Sequence, residues 1–319
     1  MTWLVTGGAG YIGAHVVRAL RSAGLTPVIY DNLVTGLPEF IPAGVAFERG
    51  DILDRDALRA AMVTHRVTGV IHVAGYKFAG VSVERPLHTY AQNVTGTATV
   101  LEVMAELGIS RIVFSSSAAV YGTPHTDLVT EATATAPESP YGESKLIGEW
   151  LLRDQGVAAD LRHVSLRYFN VVGSGEPGLW DASPHNLFPL VIAALRAGKT
   201  PRINGIDYNT PDGTCVRDYV HVADLAHSHV AAARALDAGT PLAPVYNLGS
   251  GDGASVRQIM DEMARVTGIA FDPIIGPRRA GDPDRIVADG SAAARDLEWE
   301  MRHSLADMVS SAWQAGTPS

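Results

Sequence analysis

The feature that most constrains this chain lies near its beginning, where Leu4-Val5 leads into Thr6-Gly7-Gly8-Ala9-Gly10-Tyr11-Ile12-Gly13 and a helical run from Ala14 to Ala23 follows. A glycine-rich turn between a strand and a helix lets the backbone bend tightly, approach an anion closely and pack the helix against the strand. The helix N-terminus then offers unpaired N–H groups to the anion. Glycine clusters are often plain turns, and the chain has 32 glycines, so context has to decide. Here Val28-Ile29-Tyr30 reads as the next strand and ends in Asp31-Asn32, with Asp31 18 residues beyond Gly13. A carboxylate at that position accepts hydrogen bonds from ribose hydroxyls and repels the extra phosphate of NADP, so NAD is the expected cofactor. Gly7, Gly10, Tyr11, Ile12, Gly13, Asp31 and Asn32 are its first candidate contacts.

Beyond the turn, short apolar runs alternate with helical segments: Trp3 to Val5, Val28 to Tyr30, Val70 to Val73, Ile112 to Phe114 and Val164 to Leu166. Unbroken apolar strands separated by helices predict an α/β fold with a doubly wound parallel sheet covered on both faces. Val94, Ala98, Leu101 and Ala105 share one helical face, and Leu146, Ile147, Trp150 and Leu151 another. After about residue 170 the texture changes to loops rich in Gly, Pro, Asp and Asn: Gly173 to Asn186, Asn204 to Gly213 and Gly276 to Asp284. Such loops suit a substrate cap at the carboxyl ends of the strands. The pattern Val222, Leu225, Ala226, His229, Ala233, Leu236, followed by strand-like Val245 to Leu248, predicts a return to the sheet. The expected organisation is a cofactor-binding domain over 1–170, rejoined by 221–248, and a smaller substrate-binding domain from 171–220 and 249–319.

A second constellation follows the fourth of these strands. Tyr141-Gly142-Glu143-Ser144-Lys145 places a phenol and an ammonium four residues apart on one helical face, and Ser115-Ser116-Ser117 ends the preceding strand. A free tyrosine titrates near pH 10, so it serves as a base at neutral pH only if cations stabilise the phenolate; a drop of about three pH units takes roughly 4 kcal/mol. Lys145 and a positive nicotinamide ring together suit that task. Glu143 and Ser144 are expected to turn away from this face, and His229, on an apolar stripe, to pack or cap.

At these residues the chain resembles the UDP-galactose (UDP-glucose) 4-epimerases of the extended short-chain dehydrogenase family. The likeness runs through Val5 to Gly13, Asp31-Asn32-Leu33, Gly50-Asp51-Ile52, Val70 to Lys77, Phe114 to Gly122, Ser139 to Leu146, Leu166-Arg167-Tyr168-Phe169-Asn170 and Asp212 to Tyr219, nearly the whole chain. The glycine-rich turn and the Tyr-x-x-x-Lys pattern are shared with a wider superfamily; the serine cluster and the last two stretches are more specific.

The resemblance implies that Tyr141 exchanges a proton with the sugar 4-hydroxyl, that Ser117 shares its hydrogen bond, and that Lys145 holds the nicotinamide ribose. It implies Asp51, Ile52, Ala74, Gly75 and Lys77 as contacts for adenine and phosphates, Asn93, Ser115 and Phe169 nearer the nicotinamide, and Lys77 also beside the substrate. For a UDP-hexose it implies Asn170, Asn186, Leu187, Asn204, Arg217, Arg279 and Asp282, the arginines being suited to a diphosphate. Asn204 stands where the family often carries an aromatic beside uracil, and Ala119 where a threonine is frequent. Ile286 holds the position whose bulk affects whether an N-acetyl group is accommodated. The implied activity is reversible C4 epimerisation of UDP-glucose and UDP-galactose, with UDP-N-acetylhexosamine or UDP-uronate epimerases, a dehydrogenase or a dehydratase as alternatives. Dehydratases and uronate decarboxylases usually place acids directly after the Ser or Thr, where this chain has Ala118 and Ala119. A binding module without turnover is a further alternative, which the intact Ser117, Tyr141 and Lys145 disfavour. A homodimer through helices over 85–105 and 141–154 is also implied.

Composition agrees with this class. A net charge of −9 gives no reason to expect nucleic acid or an anionic membrane as partner. No apolar stretch is long enough to span a bilayer, the first residues lack a signal-peptide pattern, the single Cys215 cannot form an intramolecular disulfide, and no Cys/His spacing suggests a metal. A cytoplasmic location is expected.

Overall fold

The computed structural model describes residues 1–279 and 282–316; Ala280 and Gly281, inside the segment matched to the substrate site, and residues 317–319 of the second expected domain lie outside the described residues. In chain order the first half contains β1 (Thr2–Thr6), α1 (Tyr11–Ser22), β2 (Thr26–Asp31), β3 (Ala46–Arg49), α2 (Arg55–Thr64), β4 (Gly69–His72), α3 (Ala79–Glu84), α4 (Pro86–Tyr90), α5 (Gly96–Leu107), β5 (Arg111–Ser117), α6 (Pro140–Ala159) and β6 (Arg162–Tyr168). There follow β7 (Asn170–Val172), α7 (Leu187–Arg196), β8 (Arg202–Asn204), β9 (Val216–Arg217), β10 (Tyr219–His221), α8 (Val222–Ala238), β11 (Val245–Leu248), β12 (Ala254–Ser255), α9 (Val256–Thr267), β13 (Ile274–Gly276), β14 (Arg285–Ile286), α10 (Ser291–Leu297) and α11 (Leu305–Gln314).

The apolar strands pair in parallel into one seven-stranded sheet of order β11-β6-β5-β4-β1-β2-β3. The order reverses between β1 and β4, which opens a crevice at the carboxyl ends of those strands, the place where such sheets bind ligands. Each face is closed by its own core. Val16, Val17 and Leu20 of α1 meet Leu225, Ala233 and Leu236 of α8 on one side; Leu58 and Met62 of α2 meet Val100, Leu101 and Met104 of α5 on the other. As the pattern after residue 221 predicts, β11 pairs with β6 at the sheet edge. A third core of Phe188, Val191, Ile192, Met260, Met263 and Val309 holds α7, α9 and α11 together beside the short strands β8, β9, β12, β13 and β14. Among the described residues no helix is long and apolar enough to cross a membrane, and no cluster of His, Cys, Asp and Glu has metal-binding geometry.

Two helix faces differ from expectation. Of the predicted stripe Val94, Ala98, Leu101 and Ala105, only Leu101 is buried; the covered residues include Thr97, Val100, Val103 and Met104. A π-helical turn over Ala91–Thr95 inserts an extra residue ahead of α5, which breaks the 3.6-residue phase on which the stripe relies. On α6, Trp150 is 47% exposed, while Lys145, Leu146, Gly148, Glu149 and Leu152 face inward. Two charged residues occupy the buried face, so the hydropathy period points to the wrong side.

Candidate active site

The crevice is a single cleft of about 1310 Å³ that reaches from the glycine-rich turn, past Ser117, Tyr141 and Lys145, to Arg217 and Arg279. At one end, Gly7 adopts φ +72° and Gly13 packs so closely that a β-carbon on it would lie 2.0 Å from the Gly7 carbonyl oxygen. Helix α1 therefore starts against the turn, and its first turn carries no acid to compete for an anion. Gly7, Gly10, Tyr11, Ile12 and Gly13 all line the cleft, and the Tyr11 hydroxyl donates to Gly173 O at 2.6 Å.

Asp31 closes this end. Its carboxylate accepts from Ala9 N at 2.9 Å and Leu33 N at 2.8 Å, which aims it into the cleft with lone pairs to spare, while burial raises its pKa. Asn32 donates to Asp51 Oδ2 at 3.0 Å and lies with Asp51 and Ile52 along the same wall. The glycine cradle, the unblocked helix N-terminus and this carboxylate fit a dinucleotide with free ribose hydroxyls.

In the middle, β5 delivers Ser117 and α6 delivers Tyr141 and Lys145. Ser139 caps α6 by accepting from Gly142 N at 3.2 Å, with Pro140 at the first helical position, so the helix begins immediately before Tyr141. The Ser117 hydroxyl lies close enough to that of Tyr141 to lower its pKa, and Ala119 N donates to Ser117 Oγ at 3.1 Å. Burial pushes the Tyr141 hydroxyl above its ordinary pKa of 10 and the Ser117 hydroxyl pulls it down. Lys145 Nζ donates to Ser115 O at 2.9 Å and stands 5.9 Å from the Tyr141 ring centroid; burial lowers its pKa to about 8. The expectation that Lys145 directly tunes the phenol is thus qualified: its hydrogen bond goes to the strand, and a phenolate on Tyr141 needs further positive charge in the cleft.

Ala74, Gly75, Lys77, Phe169 and Asn170 line the cleft around this centre. Asn93 and Ser115 are not among its lining residues and stand one layer behind. Asn93 brackets the backbone of Tyr76, accepting from its N at 2.6 Å and donating to its O at 3.0 Å, and also donates to Ser144 Oγ at 2.8 Å. The Ser115 side chain turns to His229, whose other ring nitrogen meets Leu225 O at 2.9 Å. Glu143 bonds the Tyr90 hydroxyl, away from the cleft.

At the far end Asn186, Leu187, Asn204, Arg217, Arg279 and Asp282 line the cleft. Arg217 forms an ion pair with Asp282 at 3.3 Å, and Asn186 donates to Asp181 Oδ2 at 2.7 Å. Arg278 lies 3.9 Å from the centroid of the Tyr208 ring and pairs with Asp284 at 2.9 Å. Ile286 packs with Ala118, Phe169 and Ala288 beside the lining.

Several cleft residues escape sequence reasoning. Asp181 stands 3.8 Å from Lys77 across the cleft, and Tyr76, Phe78 and His185 form a chain of edge-to-face rings with centroids 5.5 and 5.1 Å apart. Tyr168 lines the cleft near Tyr141, and burial raises its pKa. Its place in the Leu166-Arg167-Tyr168-Phe169-Asn170 stretch is its one sequence signal; the loop residues have none.

The comparisons with known proteins agree with this geometry. Residues 3–249 match the NAD dependent epimerase/dehydratase family. A UDP-glucose 4-epimerase of Azospirillum brasilense is 43% identical over 310 residues, covering 96% of this chain and 89% of that protein. The crystal structure of UDP-glucose 4-epimerase from Brucella ovis in complex with NAD superposes with a TM-score of 0.93 at 39% identity, over 98% of this chain and 97% of that one. That from Bifidobacterium longum in complex with NAD+ and UDP gives 0.89 at 38% identity, over 99% and 98%. With a parallel sheet, a dinucleotide turn and a Ser-Tyr-Lys centre in one cleft, the chain belongs to the NAD dependent epimerase/dehydratase family.

Proposed function

We propose that this protein is a UDP-glucose 4-epimerase that interconverts UDP-glucose and UDP-galactose with a retained NAD. The observation that carries the reading is the position of Ser117, Tyr141 and Lys145 midway along one cleft, between a glycine-rich turn and a pair of arginines. Gly7, Gly10, Tyr11, Ile12, Gly13, Asp31 and Asp51 hold the dinucleotide, and Lys145 and Phe169 its nicotinamide half. NAD, when bound, supplies the oxidant that takes hydride from C4 and the reductant that returns it to the opposite face.

Tyr141 removes the proton of the 4-hydroxyl as C4 is oxidised and gives it back as C4 is reduced, and Ser117 keeps the phenol oxygen in place through both half-reactions. Arg217 and Arg279 anchor the diphosphate while Asn170, Asn186, Leu187, Asn204 and Asp282 support the nucleotide, which leaves the hexose free to present either face. Ala118 and Ala119 supply neither acid nor base, which disfavours elimination or decarboxylation of the 4-keto sugar.

In this reading residues 1–170 and 221–248 serve the cofactor and 171–220 with 249–319 the UDP-sugar. A homodimer is supported by the exposed Val83, Leu87, Trp150 and Val157 on α3, α4 and α6, at 63%, 82%, 47% and 88%. A cytoplasmic place in galactose metabolism is consistent with the acidic composition and a single buried cysteine. The test is purified protein given UDP-galactose without added cofactor, beside UDP-N-acetylglucosamine and UDP-glucuronate. UDP-glucose must form, and substrate deuterated at C4 must keep its label there. Stoichiometric release of NADH replaces the reading with a dehydrogenase.

A further inference from the structure

The inward face of α6 carries three polar side chains spaced by single helical turns, Tyr141, Lys145 and Glu149, and each engages one of three successive residues at the end of β5. The Tyr141 hydroxyl meets that of Ser117, Lys145 Nζ donates to Ser115 O at 2.9 Å, and Ser116 Oγ donates to Glu149 Oε1 at 2.5 Å. Four helical residues advance about 6 Å and one strand residue about 3.3 Å. Contacts spread over about 12 Å of helix thus converge on about 7 Å of strand, and together they restrain both the height and the rotation of the helix against the strand.

Tyr141 and Lys145 line the cleft, whereas Glu149 is buried behind it at 6% exposure. Its other partner is Arg167, which donates through Nε at 2.8 Å and Nη2 at 2.5 Å to the two carboxylate oxygens. Arg167 lies directly opposite Ser116 in the β5–β6 register, so one carboxylate grips two neighbouring strands at the same level. The network continues from Arg167 Nη1 to the Tyr121 hydroxyl at 2.8 Å and from that hydroxyl to Asn247 Oδ1 at 2.7 Å. Tyr121 closes the short helical turn that begins one residue after Ser117, and Asn247 is the partner of Arg167 in β11. Glu149 thus joins the helix that carries Tyr141 and Lys145 to the strand and turn that carry Ser117.

We propose that Glu149 is a positioning residue for the epimerisation, locking the height and rotation of α6 so that Tyr141 and Lys145 stay aligned with Ser117. The proposal rests on the epimerase reading. It excludes a purely stabilising role, in which loss of Glu149 weakens the fold but leaves every folded, cofactor-loaded molecule as active as before.

The test compares Glu149→Gln and Ser116→Ala with the wild type as purified holoenzymes, using UDP-galactose and normalising rates to bound NAD. Ser116→Ala removes the link to β5 from the strand side and leaves the Glu149–Arg167 pair intact, so it carries the test even if Glu149→Gln fails to fold. Misalignment of a reacting group from outside the site is expected to lower kcat about 10- to 100-fold for Glu149→Gln and about 3- to 10-fold for Ser116→Ala, with KM changed less than about threefold. Tyr141 then loses the approach of the Ser117 hydroxyl that holds its pKa down, so the acid limb of the kcat–pH profile moves upward. A kcat within about twofold of wild type in both folded variants overturns the proposal, as does a fall in kcat with an unmoved acid limb. A wild type that does not convert UDP-galactose removes the epimerase reading itself, whereas an active wild type beside unaffected variants removes only the role of Glu149.

Discussion

Replacing Gly13 by alanine tests how the cofactor end of the cleft is built. The added methyl would fall 2.0 Å from the Gly7 carbonyl oxygen, 2.8 Å from the Gly7 carbonyl carbon and 2.8 Å from Gly8 Cα. All three neighbours are backbone atoms, so no side chain can swing aside, and the turn or α1 must move by roughly 1 Å to reach normal contact. Overpacking of this kind costs about 1–3 kcal/mol of stability. The larger effect falls on binding, because the shift misaims N–H donors at the start of α1. Losing two hydrogen bonds to a charged group, at about 1.5–3 kcal/mol each, weakens NAD by roughly two to four orders of magnitude. Bound NAD after purification, the calorimetric Kd of the stripped proteins and their Tm are the measurements. A Gly13→Ala protein that binds NAD within about threefold of wild type refutes the packing argument.

Tyr141→Phe is expected to fold and bind NAD but to lose about two to four orders of magnitude in turnover, since only the proton-carrying oxygen is removed; more than about a tenth of wild-type activity between pH 6 and 9 would exclude Tyr141 as the base. His15, His221 and His229 are buried and held neutral to about 4, and His72 to about 3, chiefly by desolvation. An unfolded chain takes up those protons near pH 6.5 and the native one does not, so stability present above pH 6.5 is lost as pH falls toward 4, at up to about 1.4 kcal/mol per pH unit for each histidine. Urea midpoints at pH 7 and pH 5 measure it, and equal midpoints would show that the histidines are solvated. Ile286→Tyr puts a longer side chain against the apolar cluster that holds the cleft residue Phe169. It is expected to lower the kcat/KM for UDP-N-acetylglucosamine relative to UDP-glucose by about ten- to two-hundredfold, and a ratio that moves less than threefold removes Ile286 from specificity.

Much of the site was legible because its parts are local. A glycine at φ +72° and another packed against a carbonyl must be glycines, so Gly7 and Gly13 declare the turn without any tertiary contact. Tyr141 and Lys145 meet because four residues on a helix return to the same face. Contacts made at a distance were less legible. The resemblance implies Asn93 and Ser115 as cofactor contacts, yet the Asn93 side chain is taken up by Tyr76 and Ser144, and Ser115, two residues back from Ser117 along β5, turns to His229. Asp181 has no pattern at all, since a loop carries no period and its partner Lys77 lies more than a hundred residues away.

The order of apolar strands and helices, the dinucleotide turn, the acid after the second strand and the Tyr-x-x-x-Lys helix were determined by sequence alone, because each follows from the 2.0- and 3.6-residue periods of the backbone and the special freedom of glycine. Only the tertiary structure decided which face of α6 is buried, and that Glu149, four residues beyond Lys145, belongs there with Arg167 and Ser116. The physical reason is that hydropathy assigns charges to the surface, whereas a carboxylate goes inside once a guanidinium and a hydroxyl from other strands replace its water, and those partners meet only when the sheet has formed.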